Sequence, residues 1–471
     1  MSVGTIVCRN PADTRQVVAR YAAHDAQGVA QACARAAAAQ PAWGALPGPR
    51  RGELLYRAAE LVERRVERLA RTIVAEEGKL LADAAGEVRR AAAVLRFHAG
   101  EAERGGGQLA DAAQPGAVAF TRRRPLGVVG LITPWNFPIA IPAWKLAPAL
   151  AAGNAALIKP ASAAPGATLG LLDALHEAGV PHDVAQAVLG GAQVGGALVD
   201  DPRVRAVSFT GSTAVGRELA GRVTARGARF QGELGGNNPL VVLADADPAL
   251  AVELACEGAF AAAGQKCTAT RRVIVQEPLY QKLLEAFARR ARGLRMGAGD
   301  DPAAQVPPLI DSAAAETALQ AVVQARTLGA TVLAGGERPD GALRHGSFLA
   351  PTVLAGAQPG MRVNDEEVFG PVCAVLPARD LDEAIELANA VPYGLSASVC
   401  TTDLAAAMRF VAGCEAGMVH VNRPTPGADP HMPFGGLKAS TASGWREQGG
   451  EAVRFFSEQQ TVYVHGGERA R

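Results

Sequence analysis

The sequence predicts an α/β protein built from two doubly wound parallel-sheet domains. Short β-branched runs alternate with amphipathic helical stretches through most of the chain, which is the pattern of parallel strands joined by crossover helices. With 471 residues and a hydrophobic content of 49%, the chain is also too long for one small core and apolar enough to fill more than one.

From about Asp25 to Glu103 the spacing predicts helices. Leu54, Leu55, Ala58, Leu61 and Val62 recur at three- and four-residue intervals, and Val88, Ala92, Leu95 and His98 repeat the stripe. His98 on that stripe reads as a core histidine rather than a ligand. Gly105-Gly106-Gly107 ends the helical region. Val118 to Pro125 reads as a strand, and its triplet Arg122-Arg123-Arg124 as a solvated or partner-facing edge rather than an anion site. Then come a strand at Val128 to Ile132, a helix at Ala140 to Leu150, a strand at Ala155 to Ile158 and a helix from about Gly166. A strand at Val204 to Phe209 and a helix at Thr213 to Arg222 complete the first series. After Asn238 a second series begins, with a strand at Leu240 to Leu243, a helix from Pro248, a strand at Val273 to Val275 and a helix from Tyr280 to Leu294. Further elements are expected around 313–324, 372–376, 381–388 and 418–421. Thr461 to Val464 is predicted to be a terminal strand with few local partners.

Composition excludes several functions. A formal net charge of +1 and a charged fraction of 20% give no electrostatic case for nucleic acid or an anionic membrane. The run from Pro125 to Trp144 carries no charge, but Pro125, Pro134, Pro138 and Pro142 make it a buried strand-turn-helix passage rather than a membrane span. Seven scattered cysteines with no C-x-x-C pair argue against a disulfide framework or a zinc site, and for a reducing compartment. A cytoplasmic location and no metal are therefore expected.

The chemistry gathers in three short stretches. Gly264-Gln265-Lys266-Cys267-Thr268 places a cysteine after a glycine turn. Gln231-Gly232-Glu233-Leu234-Gly235-Gly236-Asn237-Asn238 carries a carboxylate before two glycines, and Pro134-Trp135-Asn136-Phe137-Pro138 offers a side-chain amide. A nucleophile, a base and an oxyanion donor are what acyl chemistry on a carbonyl requires. Taken singly, each has an ordinary alternative: a small buried hydrophobe for Cys267, a surface glutamate for Glu233 and a turn former for Asn136. Phe209-Thr210-Gly211-Ser212-Thr213 leaves a strand and opens a helix, where a pyrophosphate is favoured by free N–H groups and the helix dipole.

In this order and spacing the motifs resemble the NAD(P)-dependent aldehyde dehydrogenase superfamily, over nearly the whole chain. The resemblance implies an aldehyde dehydrogenase-like fold with a small β oligomerisation flap beside the two domains. It divides the chain into a cofactor-binding domain of 1–108 and 126–235, a catalytic domain of 236–437, and an oligomerisation segment of 109–125 and 453–471. It implies that Cys267 is the nucleophile, Glu233 the base that releases a free acid rather than passing the acyl group to coenzyme A, and Asn136 an oxyanion donor. Ile132, Trp135, Lys159, Ser162, Gly211, Ser212, Leu234, Glu367 and Phe369 are implied to bind the cofactor, NADP or NAD. Related chains that use NAD strictly often carry a glutamate where Ser162 stands, so NADP is expected to be accepted.

Pro433-Phe434-Gly435-Gly436-Leu437-Lys438 resembles the loop that closes the substrate tunnel, but extra residues precede Arg446-Glu447 and leave its local path open. Within the superfamily, the stretches around Cys267, Arg423 and His431 look like bacterial 2-oxoglutarate semialdehyde (2,5-dioxovalerate) dehydrogenases. Such a substrate carries a carboxylate, so a cation is expected in the tunnel, with Arg423, Arg271 and Arg272 as candidates and Phe137 as a further tunnel residue. Succinate semialdehyde or another small aldehyde is the alternative substrate, and a non-catalytic binding protein on the same fold the alternative of another class. The expected assembly is a homodimer or homotetramer.

Overall fold

The computed structural model describes residues 4–466. Two open sheets face each other, and each expected series supplies one. The first sheet holds five parallel strands in the order Ala185–Ala187, Ala155–Lys159, Val128–Ile132, Val204–Thr210 and Arg229–Glu233. From its central strand the chain winds outward one way, then returns to build the other half. The strand order therefore reverses between Val128–Ile132 and Val204–Thr210, and in open parallel sheets ligands bind beyond the carboxyl ends at such a point. The second sheet has seven strands, in the order Thr331–Ala334, Thr352–Ala355, Val372–Ala378, Thr270–Gln276, Asn238–Val242, Ser396–Cys400 and Met418–Val421. All pairings in it are parallel except that of its edge strand Thr331–Ala334.

The helical start resolves into Ala26–Ala45, Gly48–Arg64, Val66–Glu77 and Leu81–Glu103. The predicted stripes face inward, because Leu55, Ala58, Val62, Val88, Ala92 and Leu95 are all fully buried. His98 is fully buried too, lies edge-on to Phe97, and is pushed down to about 3 by desolvation. It is the core histidine expected from its spacing. The charge-free run becomes the strand Val128–Ile132 and the helix Ala140–Ala151, every residue of which is buried. Among the described residues no helix is long and apolar enough to cross a membrane.

One element was not anticipated and one expectation needs correction. An antiparallel hairpin, Thr5–Asn10 with Asp13–Ala22, precedes the helices. Its residues are mostly exposed, and only Cys8 among them is buried apart from Pro11 in the turn. The terminal strand is also not short of local partners. Ser457–His465 pairs along its whole length with Ala117–Pro125 of the same chain, and Leu109–Asp111 completes a three-stranded sheet. Polar side chains fix this pairing. Arg122 Nε donates to Gln460 Oε1 at 2.7 Å, and Arg123 donates to Ser457 Oγ at 3.2 Å. The basic triplet is thus a strand edge in use. The ends of the expected outer segments, residues 1–3 and 467–471, lie outside the described residues.

Candidate active site

A cavity of about 340 Å³ opens at the point where the first sheet's strand order reverses. Its walls come from three places. Trp135 and Asn136 follow the strand Val128–Ile132, Gly211 and Ser212 follow Val204–Thr210, and Cys267, Glu367 and Phe369 reach in from the second sheet. Residues remote in sequence meet there because Cys267 and Glu367 precede their strands, so the amino ends of one sheet face the carboxyl ends of the other.

The segment 234–237 crosses between the sheets, and its glycines are needed for close approach. A Cβ on Gly235 would lie 2.2 Å from Glu367 Oε2, and one on Gly236 would lie 2.6 Å from the Cys267 carbonyl oxygen. At Gly236 the backbone itself stands in the way of a side chain, and at Gly235 the Glu367 carboxylate would have to move. Asn238 then ties the strands by donating to the carbonyls of Cys267 and Ala269, both at 2.8 Å.

Cys267 is half-buried on a loop that begins with a tight turn. Ala262 and Ala263 both have left-handed backbone (φ 54° and 53°), a conformation that costs an L-residue roughly 1–2 kcal/mol. Gln265 holds this turn. Its amide donates to the carbonyls of Ala262 and Pro308, and its side-chain oxygen accepts from Ile310 N at 2.8 Å. Burial raises the Cys267 thiol well above its ordinary value, and the carboxylates of Glu367, Glu233 and Glu447 add to that. The resting group is a thiol that needs a proton acceptor before it can attack.

Asn136 lines the same cavity and is 4% exposed. Its Nδ2 donates to the Gln265 carbonyl at 2.9 Å. An amide nitrogen carries two hydrogens, so one remains for a second acceptor. The Asn136 carbonyl accepts from Lys79 Nζ at 2.7 Å. Lys79 also donates to Glu87 at 2.6 Å, while Glu87 accepts from the amides of Ile139 and Ala140 at 3.0 and 3.1 Å. A buried ion pair thus pins both ends of the loop that carries Asn136. Nothing in the sequence singled out Lys79 or Glu87. Lys79→Met is expected to destabilise the fold by about 3–5 kcal/mol, because Glu87 and the neighbouring Glu77 would be left buried without their cation. Urea unfolding of the two proteins measures this.

Glu233 ends the edge strand of the first sheet and is 1% exposed. Its Oε2 accepts from Gly436 N at 3.3 Å and its Oε1 has no partner. Burial, then the Glu447 charge, holds this carboxyl well above the ordinary carboxylate range. Glu447 itself pairs with Lys145 deep in the core, beside Ser208 and Thr210. The loop whose path the sequence left open therefore returns to the site. Phe434 and Glu447 form a bridge, as do Glu233 and Thr441. Between these anchors Trp445 packs on Phe455 and Arg446 donates to the Gly436 carbonyl.

The dinucleotide residues fit a bound cofactor. Ser212 caps the helix Thr213–Ala225 without bonding to it, so its hydroxyl and the helix N–H groups are free for a phosphate. Trp135 meets Phe369 edge-on at 5.6 Å, forming an aromatic wall. Glu367 Oε1 accepts from Gly236 N at 3.0 Å, and burial raises this carboxyl to about 7. Lys159 and Ser162 converge on the Gly190 carbonyl at 3.0 and 3.1 Å, outside the cavity wall. Leu234 and Gly211 line the cavity. Ile132 does not: its side chain packs in the core with Phe209 and Leu234.

The expected substrate residues are placed differently. Arg271 is 2% exposed and donates to the carbonyls of Gly370, Gly264 and Lys266. Arg272 holds Asn237, Leu387 and Ala388 in the same way. Both guanidiniums are fastened to backbone carbonyls, and neither lines the cavity. Arg423 is exposed beyond the strand Met418–Val421 and is likewise absent from the cavity wall. Phe137 is half-buried under the Lys79 ammonium, 4.4 Å from its ring centre.

Known proteins share this arrangement over nearly the whole length. The aldehyde dehydrogenase family matches residues 1–462. The alpha-ketoglutarate semialdehyde dehydrogenase of Haloferax volcanii is 44% identical over 456 residues, which cover 96% of this chain and 94% of that protein. The 2,5-dioxopentanoate dehydrogenase of Saccharolobus solfataricus is 42% identical over 457 residues, covering 96% of this chain and 95% of that one. A crystal structure of Staphylococcus aureus betaine aldehyde dehydrogenase in complex with NAD+ superposes with a TM-score of 0.95 at 30% identity, covering 99% of this chain and 92% of that one. The chain belongs to the aldehyde dehydrogenase family. It is an NAD(P)-dependent oxidoreductase that converts an aldehyde to a carboxylic acid.

Proposed function

We propose that the protein oxidises 2-oxoglutarate semialdehyde (2,5-dioxovalerate) to 2-oxoglutarate. One observation carries this reading: the relatives named for that activity match almost end to end at 44%, 42% and 39% identity. In the same proposal, three residues carry the reaction. Cys267 gives up its proton to solvent, and the thiolate adds through sulfur to the aldehyde carbon. The free N–H of Asn136 and the main-chain N–H of Cys267 hold the resulting oxyanion, and one such donor is worth about 3–4 kcal/mol in the transition state. NAD(P), when bound, supplies the hydride acceptor that leaves Cys267 carrying a thioester. Glu233 takes a proton from water, which attacks that thioester and releases the acid and the Cys267 thiolate.

The test is a comparison of kcat/KM for 2,5-dioxovalerate, succinate semialdehyde and pentanal, each with NAD and with NADP. The highest value is expected for 2,5-dioxovalerate, and an equal value for pentanal overturns the reading. For the cofactor, no carboxylate stands at position 162 to repel a 2′-phosphate, and Lys159 lies beside it. Ser162→Glu is expected to lower kcat/KM for NADP roughly 100-fold and to leave NAD little changed, since like-charge juxtaposition costs several kcal/mol. Unchanged NADP use defeats that argument.

The division into a cofactor-binding domain (1–108 and 126–235) and a catalytic domain (236–437) is supported by the strand membership of the two sheets. A homodimer or homotetramer built through 109–125 and 453–471 is supported by the exposed Leu109, Tyr463 and Val464 of the small sheet, and sedimentation velocity distinguishes the two states. A cytoplasmic location is supported by seven cysteines that are all free.

A further inference from the structure

We infer that Arg90, with the indole N–H of Trp144 and the carboxamide of Gln448, is the receptor for the carboxylate at the far end of the aldehyde substrate. The inference rests on the proposed substrate class and adds the residues that select it.

Arg90, like Arg271, Arg272 and Arg423, lies outside the cavity wall, but unlike Arg271 and Arg272 it is not fastened to backbone carbonyls. It is half-buried on the helix Leu81–Glu103, one turn beyond Glu87, which grips the Asn136 loop. Among the described residues it forms no ion pair, although Asp429 is close enough to be felt. Its one hydrogen bond goes to a neutral acceptor, Gln448 Oε1, at 3.1 Å. Its guanidinium lies 5.5 Å from the centre of the Trp144 ring. Burial holds it below the ordinary arginine value, and the Asp429 charge offsets this only in part. Such a group is stabilised by an incoming anion.

Two further donors nearby have no partner among the described residues. Trp144 is 8% exposed and its Nε1 is unbonded; Gln448 is fully buried and its Nε2 is unbonded. Because Gln448 Oε1 already accepts from Arg90, the Nε2 of that same carboxamide lies close to the guanidinium. A carboxylate has two oxygens and accepts several hydrogen bonds, which suits one fork and two single N–H donors.

Each member is also one short step from the reacting centre. Trp144 is one helical turn beyond Ile141, which lines the Cys267 cavity. Gln448 follows Glu447, and Phe434, whose ring lies 5.2 Å from that of Trp144, precedes the glycines beside Glu233. Ile141 in the chamber wall and the Trp144–Phe434 ring pair one turn further along are apolar, a setting that fits a short chain with an aldehyde at one end and a carboxylate at the other.

The test compares wild type, Arg90→Met and Arg90→Lys on 2,5-dioxovalerate, succinate semialdehyde and pentanal, with thermal melts as a check on folding. Arg90→Met keeps the bulk over Trp144 and removes the charge. It is expected to raise KM for both carboxylated aldehydes roughly 10- to 100-fold, the worth of a charge-assisted hydrogen bond, with kcat nearly unchanged and pentanal unaffected. Arg90→Lys should fall between. Gln448→Leu, which leaves Arg90 in place, should raise the same two KM values by a smaller factor. Equal losses on pentanal, or an undiminished preference for the carboxylated aldehydes, overturn the assignment of Arg90. If wild type itself shows no such preference, the substrate reading fails first, and the two failures are distinguishable.

Discussion

Cys267→Ala is expected to reduce aldehyde oxidation by roughly 10⁴-fold or more, because a covalent route has no substitute for its nucleophile. The variant should fold normally. The side chain is half-buried and small, while the backbone at this position is held by Asn238 through the Cys267 carbonyl. Thermal melts and cofactor binding, read by fluorescence, should match wild type. Cys267→Ser should be nearly as inactive. A hydroxyl is far harder to ionise than a thiol, and burial with Glu367 and Glu233 nearby already opposes ionisation of the thiol itself. The same setting fixes a sign: alkylation of Cys267 by iodoacetamide should quicken as pH rises, since the thiolate reacts and its formation is pushed upward. Activity in Cys267→Ala within tenfold of wild type would rule out the proposed chemistry.

Much of this was legible in the chain, for a physical reason. Cys267, Glu233, Asn136 and Glu367 each lie in a short local motif, where a turn or a glycine pair must be encoded beside the reacting group. The crossing glycines Gly235 and Gly236 are an instance, since a side chain would meet the Glu367 carboxylate at one and the Cys267 carbonyl at the other. The strand-helix alternation was legible for a similar reason, because parallel strands buried on both faces write continuous apolar runs. What stayed hidden depends on pairs remote in sequence. Lys79 finds Asn136, Lys145 finds Glu447, and Arg90 finds Gln448 only once the helices have packed. A lone lysine or arginine inside a helical stripe looks like any solvated charge. The arginines beside Cys267 misled for the converse reason: nearness in sequence suggested the tunnel, but Arg271 and Arg272 turn into the second sheet and brace its loops.

Glu233→Gln should separate the two halves of the reaction. The substitution is isosteric and leaves the Gly436 amide an acceptor, so the fold should survive it. Thioester formation at Cys267 does not use the lost base, whereas hydrolysis does. A positioned general base contributes about 10²–10⁴-fold, and steady-state turnover should fall by that factor. Rapid mixing should show one equivalent of reduced cofactor per subunit followed by near arrest, and intact-mass analysis should find the acyl group on Cys267. Loss of turnover with no acyl-enzyme would remove Glu233 from the second half. The wild-type pH dependence follows from the same carboxyl. Burial and then Glu447 raise it, so the base form is scarce at low pH and hydrolysis should speed up as pH rises through a midpoint above the ordinary carboxylate range. Glu447→Gln deletes one repelling charge and leaves the Lys145 cation unpaired beside the chamber, and both changes favour ionised Glu233. The midpoint of single-turnover deacylation should therefore move to lower pH. A midpoint that stays fixed, or moves upward, would show that Glu447 does not tune the base.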